Sequence, residues 1–183
     1  ILVLNFCLTQ TAMVSGREDA LGIWISSEVY NVESKDLDVD NLNLHIDFKT
    51  EGFEIGLDYN EDSERLDFGL ASHAKYDNGI NFWFGIKAYD VTEELTNVGE
   101  RLGASFGIYT NDSMFFTVNR VWVSIDGGDW GWDYDYSYST VEIGTMIKVA
   151  NPLVIGLSYI ASPDLLTYLD EGYIRVTLGV TPF

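Results

Sequence analysis

The chain has 183 residues, enough for one domain with a sizeable buried surface. A formal charge of −19 excludes a nucleic-acid partner, because phosphates demand Lys and Arg. With 46% hydrophobic and 14% aromatic residues it is too rich in core-forming side chains to be a disordered acidic chain, and one cysteine, Cys7, cannot form an internal disulfide.

Residues 1–16, from Ile1 to Gly16, are apolar and end in small residues just before Arg17-Glu-Asp19. That is the pattern of a secretory signal's apolar stretch, so 1–16 are read as a signal-peptide remnant and 17–183 as the folded domain. No later stretch reaches the roughly 18 apolar residues of a transmembrane helix.

From there on the chain runs with period two, the mark of half-buried strands. A first strand spans about Ala20–Tyr30. Leu42, Leu44, Ile46 and Phe48 then alternate with polar neighbours, and the same alternation covers Phe53–Tyr59, Leu66–Leu70, Ile80–Ile86 and Leu102–Ile108. A strand of unresolved phase lies at about Ser113–Ile125, where Phe115-Phe116 and Val121-Trp-Val123 put apolar residues on both faces. Val141–Val149, Leu153–Tyr159 and Ile174–Val180 complete about ten strands of roughly 9–12 residues, the length that spans a bilayer at barrel tilt.

Tight turns at 50–52, 76–79, 110–112 and 151–152 alternate with longer loops at 31–40, 60–64, 90–100, 126–136 and 162–171. Short periplasmic turns and long extracellular loops are how outer-membrane barrels are built. The predicted fold is therefore all-β, an antiparallel up-and-down transmembrane β-barrel with ten strands here and twelve allowed for in the full-length protein. Phe183 is out of phase with Ile174, Val176, Leu178 and Val180, and Thr181-Pro-Phe183 reads as the next turn, so the barrel domain is expected to be truncated at the C-terminus. The location expected from this pattern is the bacterial outer membrane.

Charge is sorted along the chain. The longer loops hold eighteen acids against one base, Lys35, which gives −17 of the −19. Basic residues fall instead on the polar phase of the strands, which predicts a charged lumen lined by Asp47, Lys49, Glu54, Asp58, Arg65, Asp67, Lys75, Lys87, Arg101, Glu142, Lys148 and Arg175. In a narrow barrel such groups pair, because an unpaired desolvated charge is costly. The polar phase is also rich in Gly and Ser, so a water-filled channel for small polar solutes is the competing expectation. Nine tyrosines near strand ends (30, 59, 89, 109, 134, 136, 138, 159 and 173) read as girdles at the headgroup level.

Few residues suggest chemistry. His45 and His73 both fall on the inward phase, without a serine elbow or a zinc-protease pattern, and read as isolated lumen histidines. The run from Asp126 to Asp135 clusters carboxylates, so Asp126, Asp129, Asp133 and Asp135 are a candidate weak site for calcium or magnesium, although the spacing misses the EF-hand loop. No cofactor is otherwise expected.

Laid out in this way, the chain resembles the YfaZ family of bacterial outer-membrane proteins. The likeness is carried by Asp40-Asn-Leu-Asn-Leu-His45, Gly56-Leu-Asp-Tyr-Asn-Glu-Asp62, Phe84-Gly-Ile-Lys-Ala-Tyr-Asp90 and Gly103-Ala-Ser-Phe-Gly107. It is clearest in Ser158-Tyr-Ile-Ala-Ser-Pro-Asp-Leu-Leu166 and Glu171-Gly-Tyr-Ile-Arg-Val-Thr-Leu-Gly179, and weakest from Met114 to Tyr138. The resemblance implies an outer-membrane barrel and brings no substrate or active site with it. The leading expectation is a narrow porin-like channel or a structural membrane protein that is not an enzyme, with membrane lipid and lipopolysaccharide as partners. The alternatives are an outer-membrane enzyme with a site at the extracellular loops and a soluble ligand-binding barrel. A soluble barrel would carry charge on its outer face, where this chain's apolar phase has almost none.

Overall fold

The structure, a computed structural model, describes residues 20–50, 52–61, 65–74, 76, 79–89, 101–110, 114–125, 134–150, 152–161 and 172–181. Ten strands account for nearly all of them: β1 (Ala20–Asn31), β2 (Leu37–Lys49), β3 (Phe53–Asn60), β4 (Arg65–Ala74), β5 (Ile80–Tyr89), β6 (Arg101–Thr110), β7 (Met114–Ile125), β8 (Tyr134–Ala150), β9 (Leu153–Ala161) and β10 (Gly172–Val180). Each pairs antiparallel with its neighbours in sequence, and β10 returns to β1, so the sheet is a closed up-and-down barrel. Closure is reached with these ten strands; no edge is left for the two more that had been allowed for. No helix among the described residues is long and apolar enough to cross a membrane.

Period-two alternation becomes two faces. In β3 exposed Phe53, Ile55, Leu57 and Tyr59 alternate with buried Glu54, Gly56, Asp58 and Asn60. The outer wall is built from such residues all round, among them Phe84 at 55% exposed and Ile143 at 50%. The buried set is the reverse of a soluble core, since it includes Asp47, Lys49, Glu54, Lys87, Glu142 and Arg175.

Large inward side chains fill the interior by lying over small ones on adjacent strands. Trp24 of β1 covers Gly179 of β10, and Trp83 of β5 covers Gly107 of β6, each so closely that a Cβ on the glycine would collide with the indole. With Ala71, Tyr109, Phe115, Met146 and Val154 these tryptophans form an apolar layer toward the turn end of the barrel.

Hairpin chemistry sets the registers. Thr50 N–H donates to the Phe53 carbonyl at 2.7 Å and closes the β2–β3 turn, so Lys49 stands opposite Glu54 and His45 opposite Asp58. Gly79, at φ 80°, takes the left-handed position that ends the β4–β5 turn. Between β1 and β2, the Asn31 side-chain oxygen accepts from the N–H groups of Glu33 and Ser34, and Lys35 sits at φ 59°.

Several expectations change. β2 begins at Leu37, because shifts around Glu28 in β1 let pairing continue to Glu28–Asp40 and Tyr30–Leu37, inside the loop expected at 31–40. β8 begins at Tyr134, inside the loop expected at 126–136. The connections after β1 and β3 are thereby no longer than the 75–79 turn, and the short–long alternation belongs only to the later hairpins. β7 acquires a phase: Phe115, Thr117, Asn119, Val121 and Val123 point in, while Met114, Phe116, Val118, Arg120 and Trp122 point out. The tyrosine girdle is partial. Tyr59 is exposed, but Tyr89 and Tyr109 are buried, and Tyr136 and Tyr138 pack on an inner cluster of Tyr89, Val121 and Val123.

Candidate functional site

Most of the charged residues expected in the lumen converge there as a hydrogen-bonded network. Its centre is β2–β3, where the register places His45 across from Asp58. His45 Nδ1 lies 2.5 Å from Asp58 Oδ1 and its Nε2 lies 3.1 Å from Asp47 Oδ2. Both nitrogens can donate at once only in the doubly protonated ring. Asp47 also accepts from Trp24 Nε1 at 2.8 Å, which anchors the indole of the apolar layer.

From Asp58 the network runs sideways. Lys87 Nζ of β5 stands 2.8 Å from Asp58 Oδ2 and 3.4 Å from Asp67 Oδ2, so one ammonium bridges two strands' carboxylates. Arg65 Nε donates to Asp67 Oδ1 at 2.9 Å. Tyr89 lies between these cations, its ring centroid 5.2 Å from Lys87 Nζ and 5.5 Å from Arg65 Cζ. Toward the turn end, His73 Nε2 contacts Glu54 Oε2 at 3.1 Å, Tyr109 OH lies 3.4 Å from His73 Nδ1, and Lys49 Nζ sits 5.3 Å over the Tyr109 ring.

A second cluster lies across the barrel. Arg175 of β10 is fully buried, 3.3 Å from Glu28 Oε1 of β1 and 3.8 Å from Glu142 Oε1 of β8. Glu142 also accepts from the Ser158 hydroxyl at 2.6 Å. Burying such pairs yields little net stability, but removing one partner would strand the other without solvent.

The donor set bears on metal and enzyme readings. His45, Asp47 and Glu54 offer ligand atoms within 4.8 Å of one another, and Glu54 Oε1 has no hydrogen-bond partner among the described residues. The imidazole already engages both nitrogens with carboxylates, so in this arrangement the ring supplies the positive charge that a metal would bring. A small cavity beside it, lined among others by His45, Glu54, Gly56 and Asp58, has room for about one water. Neither histidine contacts a serine hydroxyl among the described residues; their partners are carboxylates and Tyr109.

Not every expected residue joins in. Lys148 is exposed rather than interior: it keeps the inward phase, opposite buried Val154, but stands where β8 reaches its turn and the lumen meets solvent. Lys75 and the side chain of Arg101 lie outside the described residues, as do Asp126, Asp129 and Asp133 of the carboxylate cluster. Asp135 is not in a loop: it lies exposed in β8, opposite Ser124. The sequence reading missed Glu28, because the β1 irregularity buries Ser26, Ser27 and Glu28 in succession and erases the alternation that would have flagged it. It also treated both histidines as isolated, although the tight 50–52 turn already puts His45 opposite Asp58.

No protein-family model matches this chain, and no curated protein matches it. Among solved structures it is similar to Ail, the attachment invasion locus protein of Yersinia pestis, in complex with the heparin analogue sucrose octasulfate, at 11% identity over 88% of this chain and 92% of that one, with a TM-score of 0.24. A second structure of Ail is 10% identical over 90% of this chain and 98% of that one, with a TM-score of 0.23. Likenesses this weak carry no argument.

Proposed function

We propose that this chain is a bacterial outer-membrane protein whose barrel is a closed, charge-paired scaffold, structural rather than catalytic and not a diffusion pore. The observation that carries the reading is the reversal of a soluble protein's pattern: buried residues are charged and paired, and the exposed wall is aliphatic and aromatic. A continuous apolar exterior of this extent belongs against lipid. Closure of the sheet leaves no open edge strand, as a spanning structure without water requires. The YfaZ-like runs in β2, β3, β5, β6, β9 and β10 fit the same reading.

A closed rather than porin-like interior is supported by what fills it. Trp24 and Trp83 cover glycines of adjacent strands, and Lys87 and Arg175 cross between strands. The test is reconstitution of the purified chain. It should need detergent, run as a compact heat-modifiable band on unboiled gels, and give no unitary conductance steps in planar bilayers. A monodisperse protein without detergent would overturn the membrane assignment; steady unitary conductance from the unmodified chain would overturn the closed interior.

A further inference from the structure

We infer that Arg120, held by Ser137 and Ser139 on the outer wall, binds the phosphate of an outer-leaflet lipid headgroup. This rests on the membrane reading above and adds a specific lipid contact to it. Arg120 is on the outward phase of β7, opposite Ala104 of β6 and Ser139 of β8. Its Nη1 donates to Ser139 Oγ at 2.8 Å, and its Nη2 donates to Ser137 Oγ. Those hydroxyls are its only partners among the described residues. Arg65 and Arg175, by contrast, are each paired with carboxylates. Asp135 is on the same face two outward rungs nearer the loops and makes no ion pair with it.

Two neutral hydroxyls orient a guanidinium without neutralising it. Three of its five N–H donors remain, in the planar fork that suits two oxygens of one phosphate. The Ser137 hydroxyl, accepting from Arg120, still has its own proton to donate. In a chain of net charge −19, a cation fixed in place without an acid is a feature of this wall that would attract an anion rather than repel it.

The depth fits a headgroup. On the turn side of Arg120 the outer face is Met114, Phe116 and Val118 on β7, with Ile143 on β8. On the loop side it becomes Ser124 and Asp135, and the inner face changes in the opposite sense, from Thr117, Asn119 and Glu142 to Val121 and Val123. The inside-outside sense therefore flips at the rung of Arg120 and Ser139, which is where a wall passes from hydrocarbon to water. Trp122, 48% exposed on the next outward rung, is of the type that prefers this boundary.

The test uses the full chain in detergent micelles doped with lipid A or with its dephosphorylated form, with retained lipid counted by native mass spectrometry. The unmodified protein should retain the phosphorylated form about tenfold better, Arg120→Gln should lose most of that preference, and Arg120→Lys should keep part of it, as a point charge without the fork. Ser137→Ala with Ser139→Ala should weaken retention by about threefold. Millimolar inorganic phosphate should not compete, because the acyl chains hold the lipid against the wall; full competition would make this a free-anion site and overturn the lipid assignment. Equal retention of the two lipids, or by Arg120→Gln and the unmodified chain, would overturn the inference. If the Arg120→Gln protein still needs detergent and shows a heat-modifiable band, that failure leaves the membrane reading standing; solubility without detergent would remove both.

Discussion

The middle of β5 and the loop end of the β7–β8 hairpin alternate with the same period in opposite senses. In β5, Phe84 and Ile86 face out while Trp83 and Lys87 face in. In the hairpin, Val121 and Val123 face in, and Ser124, Asp135, Ser137 and Ser139 face out or lie part-exposed. The strand geometry dictates only that neighbours face opposite ways. Which face takes the apolar residues is decided by what lies beyond it, and that changes along one barrel. β8, at 17 residues, outruns β9: its first seven residues pair with β7 alone among the described strands, so this end has to make its own small core.

The largest expected effect is inside the body. Lys87→Met removes the ammonium between Asp58 and Asp67 and leaves two facing carboxylates buried, at a cost of about 3–5 kcal/mol in denaturant unfolding from lipid vesicles. A cost below about 1 kcal/mol would mean that water reaches this network and that the interior is open. Next comes the lipid wall, where Phe84→Arg should cost about 2–4 kcal/mol if the residue is near the bilayer midplane. In the hairpin's own core, Val121→Ala should cost about 1–2 kcal/mol through lost methyl burial. Its signature is faster hydrogen exchange in β7 and β8 while β2 to β4 stay protected. The smallest effect belongs to Ser124→Arg, on the outer face beyond the reversal, which should change stability by no more than about 0.5 kcal/mol. Equal penalties at Phe84 and Ser124 would erase the distinction between the two regions.

Strand positions were legible in the sequence because lipid-like and polar faces alternate residue by residue. β7 was the exception for a physical reason. Its inner face is apolar at both ends, with Phe115 in one cluster and Val121 and Val123 in another, so neither phase stands out. Within the candidate site, membership followed from phase, and one contact followed from a turn: a short 50–52 connection forces His45 against Asp58. Partners from strands distant in sequence, such as Arg175 with Glu28 and Glu142, depend on barrel closure and on the β1 irregularity, which alternation does not encode. Lys148 has the inward phase that the pattern assigns, opposite Val154, but alternation does not encode where along a strand the lumen gives way to solvent.

The seam between β1 and β10 has a kinetic consequence. Every other rung of the barrel joins strands adjacent in the chain, whereas the Arg175–Glu28 contact joins residues 147 positions apart. Ring closure over that span carries the largest entropic toll of any pairing here and has to come last, after the hairpins have stacked in order. Until then β1 and β10 are open edges able to recruit another chain. Trp24 settling over Gly179 is available only to the correct partner, so the seam carries its own check on register, and Gly179→Leu should slow the final step of assembly more than it disturbs the earlier ones.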